Sequence, residues 1–126
     1  MTGVGTFYTM IGIESPTARG RIIEISNALV DTGAEATWVG RAVLEALGIG
    51  PERMELYRMA DGRILRREVG FAIVHVAGKA TVDDVVFAEG GDLIILGARS
   101  LEGLNLRVDP RRKELVSAGP IVAAAG

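Results

Sequence analysis

Only one carboxylate in this chain sits where chemistry, rather than simple solvation, is a credible use for it. The segment ALVDTGAEAT, residues 28–37, runs apolar into Asp31, followed by Thr32, Gly33 and Ala34. A carboxyl group fixed at the end of a buried strand can act as a general acid or base. Asp-Thr-Gly is equally good turn chemistry, so these residues alone also allow a plain strand-to-turn reading. Other candidates are thinner. There is no cysteine, which removes thiolate catalysis, disulfides and cysteine metal sites together. His75 is the only histidine and lies in a strand pattern, so a structural or solvated role is expected and a metal site is not. Asp83 and Asp84 are adjacent, but neighbouring strand residues point to opposite faces, which argues against acid–base work. No serine sits in a nucleophile-elbow pattern, and GVGTF near the start lacks the helix and lysine of a phosphate loop.

The elements that must position Asp31 follow from periodicity. Residues 6–13, TFYTMIGI, and 21–30, RIIEISNALV, read as two strands joined by the Ser-Pro-Gly-containing turn 14–20, the second ending buried. Residues 41–49, RAVLEALGI, form the best helix, with Gly48 where a helix end favours a left-handed residue and Pro51 close behind. Residues 54–78 read as extended strands about a turn at Asp61-Gly62, the strongest short hairpin signal in the chain. A strand is expected around 85–87, then a short apolar strand LIILG at 93–97 and about two helical turns at 98–104. A last hairpin turns at Asp109-Pro110, and the tail from 120 is either a terminal strand or loose. The fold class expected is therefore all-β, with one to two short helices, in a single domain spanning 1–126.

The ordered pair of ALVDTGAEAT and IILGARSLEGL, with the MADGR hairpin between them, resembles the retropepsin-like aspartic proteases, nearest their cellular and prokaryotic single-domain members. That resemblance covers roughly residues 6–109. It implies a closed β-barrel, half of an acid protease, that works as a homodimer. It implies that Asp31 is the catalytic carboxyl, that Thr32 hydrogen-bonds across to the partner's loop, and that Gly33 lets its N–H approach the carboxylate. Ala34 and Glu35 would line the substrate cleft; Met59, Ala60, Asp61 and Gly62 would form the covering flap. Thr37, Leu96 and Gly97 would support the site. Two carboxyls in contact share one proton, so the pair supplies both a base for water and an acid for the leaving group; aspartic proteases are the standard case. Because the chain holds one Asp-Thr-Gly, the second aspartate must come from another copy.

The sequence departs from viral members at one point. Their arginine directly follows the downstream glycine and pairs with the acidic residue of the active loop, whereas here that place is Ala98 and the arginine is Arg99. Either Arg99 reaches Glu35 by a shifted backbone, or Glu35 is held differently. The function implied is an aspartic endopeptidase acting on peptides or proteins without metal or cofactor; the alternative is a non-catalytic dimerisation or peptide-binding module on the same fold. A net charge of −2 and a pI near 5.4 give no footprint for nucleic acid or an anionic membrane. No signal-like start is visible, so a cytoplasmic location is expected. Residues 105–123 are apolar enough to be expected in the dimer interface.

Overall fold

A computed structural model describes residues 6–124. Nine strands and two short helices follow one another: β1 (Phe7–Ser15), β2 (Ala18–Val30), β3 (Thr37–Gly40), α1 (Arg41–Ala46), β4 (Arg53–Arg58), β5 (Ile64–Val76), β6 (Lys79–Ala88), β7 (Ile95–Leu96), α2 (Ala98–Gly103), β8 (Leu106–Asp109) and β9 (Glu114–Ser117). Seven strands share one sheet in the order β1-β2-β7-β3-β6-β5-β4, and β1 also pairs antiparallel with β5 through Gly12↔His75 to Glu14↔Ile73. β8 and β9 form a separate two-stranded sheet. The protein is mostly β, as the strand patterns imply.

Alternation sorts the apolar side chains into two clusters. From β6, Val85 and Phe87 enter the larger core while Val86 and Ala88 enter a smaller one. β3 and β7 divide the same way, with Val39 and Leu96 in the first and Trp38 and Ile95 in the second. The larger core also takes Ile11, Ile13, Val30 and Val74, and it anchors the end of β2 that delivers Asp31. The smaller cluster packs Ala34, Ala36, Tyr57 and Met59 against it, so it forms the floor beneath the β4–β5 hairpin. Residues 28–30 are all buried, which is why this stretch is apolar on both faces.

Helix α1 is shorter than the 41–49 read from sequence. The Gly48 N–H donates to the Glu45 carbonyl and the Ile49 N–H to the Leu44 carbonyl, with Gly48 at φ +74°. That is the Schellman closure, in which the last residues turn back over the helix and Ile49 packs near Leu44. The Asp61-Gly62 turn forms as expected, Gly62 taking φ +90°. A second tight turn at Ala77-Gly78, both with positive φ, joins β5 to β6 and extends β6 well before residue 85. The last hairpin turns at Asp109, whose carboxylate accepts the Arg111 and Arg112 N–H groups. Residues 118–124 belong to no strand.

His75 has a structural partner. Its Nε2 lies 2.7 Å from Oε1 of Glu14, a carboxylate only 3% exposed that also accepts the Gly20 N–H at 2.7 Å and Arg19 Nε at 3.0 Å. The Gly20 N–H first, then His75 and Arg19, hold the Glu14 carboxyl down to about 2 from an ordinary 4.5. A depressed carboxylate stabilises the fold above its unfolded pKa, and that contribution drains away as pH falls from 4.5 towards 2. Chemical denaturation across that window should show wild-type stability falling with a steeper pH slope than Glu14→Gln. Equal slopes would remove Glu14 from the acid response.

Candidate active site

Asp31 leaves β2 where the sheet needs it. Its N–H donates to the Leu96 carbonyl at 3.1 Å, continuing the parallel pairing of Leu29 with Ile95 and Val30 with Leu96. The chain then turns, the Ala34 N–H returning to the Asp31 carbonyl at 3.2 Å. The Gly33 N–H donates to Asp31 Oδ1 at 2.9 Å. A Cβ on Gly33 would stand 3.2 Å from that oxygen, so glycine keeps the approach unobstructed. Asp31 is half-buried, while Thr32 and Gly33 are exposed, and the Thr32 hydroxyl makes no hydrogen bond among the described residues.

The loop is locked from behind by the segment after β7. The Ala98 N–H donates to the Ala34 carbonyl at 2.8 Å and the Arg99 N–H to the Glu35 carbonyl at 3.1 Å. The Gly97 N–H donates to Thr37 Oγ1 at 3.0 Å. The two backbones touch so closely that a Cβ on Gly97 would lie 2.3 Å from the Ala36 carbonyl oxygen. Leu96 serves through its carbonyl as well as its buried side chain.

Beside the loop opens a cavity of about 650 Å³. Asp31, Gly33, Ala34 and Glu35 form one wall; Leu56, Met59 and Ala60, from β4 and its turn, form another. Trp38, Ile95 and Tyr57 lie at its base, the Trp38 and Tyr57 rings meeting edge to face at 5.2 Å. Burial pushes the Tyr57 phenol up, so it stays neutral there. Trp38 is therefore a core residue whose edge reaches the cavity. Asp61 and Gly62 sit at the hairpin tip and do not line the cavity.

The Arg99 side chain does not take over the pairing with Glu35. Its guanidinium goes to Asp83 Oδ1 at 3.2 Å and Asp84 Oδ2 at 3.3 Å, and only the Arg99 backbone N–H touches Glu35, at its carbonyl. The Glu35 carboxylate has no hydrogen bond or ion pair among the described residues. Arg53 joins the cluster, with Nη2 2.7 Å from Asp84 Oδ2 and Nε 2.9 Å from Glu55 Oε2. The Arg53 guanidinium, with Arg99 beyond it, holds the Asp84 carboxyl below the usual carboxylate range. Sequence reading set Asp83 and Asp84 aside because alternate strand residues diverge. One long arginine spans both. Ser100 was missed as well: it is fully buried, with Oγ 2.6 Å from Thr37 Oγ1 and donating to Asp83 Oδ2 at 2.9 Å. A serine inside a short helix carries no pattern that would single it out.

A family model described as aspartyl protease matches residues 17–99, well over half of the chain and including both the Asp31 loop and Gly97. The chain belongs to the retropepsin-like aspartyl protease family. No curated protein matches it.

Proposed function

We propose that this chain is an aspartic endopeptidase whose dyad forms across a homodimer, one Asp31 from each subunit. The observation that carries the reading is the Asp31-Thr32-Gly33 loop, rigidly backed by Gly97 yet open on its outer side, with a peptide-sized cavity along one flank. Two such loops face to face would bring the carboxyls together, and like charges that close cannot both ionise. The ionised Asp31 would take a proton from a water as that water's oxygen bonds to the peptide carbonyl carbon and the C=O π pair moves onto the carbonyl oxygen, to re-form the double bond when the C–N bond breaks. The protonated Asp31 would hand its proton to the nitrogen as the C–N bond breaks. Water is the nucleophile, so no covalent intermediate forms.

In this reading Thr32, whose hydroxyl has no partner among the described residues, spends it on the partner's loop. The Glu35 carboxylate, not engaged by the Arg99 guanidinium, faces the peptide. The hairpin carrying Met59, Ala60, Asp61 and Gly62 closes over the substrate and excludes water. The β1–β5 pairing supports the closed-barrel form of the fold. Residues 105–123 supply part of the interface, in keeping with Ile121 and Val122 at 76% and 84% exposed in the single chain. An assay over a dilution series tests the assembly: specific activity should fall as the protein is diluted through the dimer dissociation constant. A specific activity that stays constant down to monomeric protein would contradict it.

A further inference from the structure

We propose that Asp83 is a positioning residue for the active loop, acting through Ser100 and Thr37 as the fixed end of a one-way hydrogen-bond chain. The inference rests on the peptidase reading above for its link to catalysis. The direction of the chain follows from donors and acceptors. A carboxylate can only accept, so Ser100 Oγ–H donates to Asp83 Oδ2 at 2.9 Å. Having spent its one proton, Ser100 Oγ must accept across its 2.6 Å contact with Thr37, whose Oγ1–H is therefore the donor. Thr37 Oγ1 is then left with lone pairs only, and it accepts the Gly97 N–H at 3.0 Å.

Thr37 and Ser100 are both 0% exposed, so no water competes for these positions. Such a buried chain polarises along its length, and removing one member leaves a desolvated group without a partner. Its far end, Gly97, follows Leu96, whose carbonyl holds the Asp31 N–H, and precedes Ala98, which holds the Ala34 carbonyl. Asp83 itself is fixed by Arg99 and by the Asp84 N–H at 2.8 Å. The carboxylate thus sets the orientation of two hydroxyls and, through them, the placement of the strand end against which Asp31 sits.

Three measurements test this. In wild-type protein, NMR of slowly exchanging hydroxyl protons should place the Ser100 proton at Asp83 and the Thr37 proton at Ser100; the reverse arrangement overturns the proposal. Next, Ser100→Ala and Asp83→Ala are compared singly and together, along with Thr37→Val and Thr37→Ser. Each single break should lower kcat by roughly 10- to 100-fold with KM little changed, as expected for a displaced reacting group. The double variant should be no worse than either single one, and Thr37→Ser should recover most of what Thr37→Val loses. Exchange of the Gly97 amide should quicken in each broken chain relative to the Val74 amide in β5. Additive kcat losses, or Gly97 exchange unchanged from wild type, would overturn the chain. Should the wild type cleave nothing, the peptidase reading fails while the proton positions and Gly97 exchange still decide whether Asp83 holds the loop.

Discussion

Asp31→Asn should abolish peptide cleavage, lowering kcat/KM by about 10⁴-fold, the upper end of what general acid–base groups contribute. The substitution is nearly isosteric, and its side-chain oxygen can still accept the Gly33 N–H that Asp31 Oδ1 takes at 2.9 Å. Loop geometry and folding should therefore survive. What disappears is the titratable carboxyl, which alone can take up or give up a proton at this position. Each subunit would contribute one such residue, so the variant dimer has neither base nor acid. The measurement is cleavage of a mixed peptide library by wild type and variant at matched concentration, with circular dichroism to confirm that both are folded. Equal cleavage by the two proteins, or none by either, would contradict the enzyme reading.

Gly97→Ala should be the most damaging single methyl in the molecule. Its Cβ would stand 2.3 Å from the Ala36 oxygen, 2.5 Å from the Ala36 carbonyl carbon and 2.9 Å from the Glu35 oxygen. All three are backbone atoms, so no side chain can rotate out of the way. The segment after β7 would have to back off, stretching the bonds from Gly97, Ala98 and Arg99 that lock the loop. Overpacking of this kind costs about 3 kcal/mol. For a domain of this size that corresponds to a melting temperature lower by roughly 10 °C. Gly90→Ala serves as the control, since nothing lies within 4 Å of its Cβ position and its φ is not positive. A Gly97→Ala protein melting with wild type would show that the two segments are not in contact as described.

Much of this site could be read from local sequence because its signals are local. An apolar run ending in Asp-Thr-Gly placed the loop, Asp61-Gly62 placed the hairpin tip, and Gly48 marked the end of α1. Other features depend on partners distant in sequence. The insertion of β7 between β2 and β3 and the return of β1 to β5 are pairings that no window of the chain encodes. The Ala77-Gly78 turn was hidden because alanine rarely adopts a positive φ. Asp83 and Asp84 take the structural role their place in a strand implies, but the reach of Arg99 across both is a contact that strand alternation does not encode. Helix 41–49 was read too long because apolar periodicity runs on through Leu47 and Ile49, which are buried although not helical. The main features that escaped local reading are side chains and strands that meet across the sheet.

The central claim is that half an active site in one chain is completed by a second copy. It is tested most directly by mixing wild type with increasing proportions of Asp31→Asn at constant total protein, under conditions where subunits exchange. If only dimers with two Asp31 residues cleave, activity should fall as the square of the wild-type fraction, to about one quarter at an equal mixture. A straight-line fall, to one half at the same point, would mean that each chain works alone.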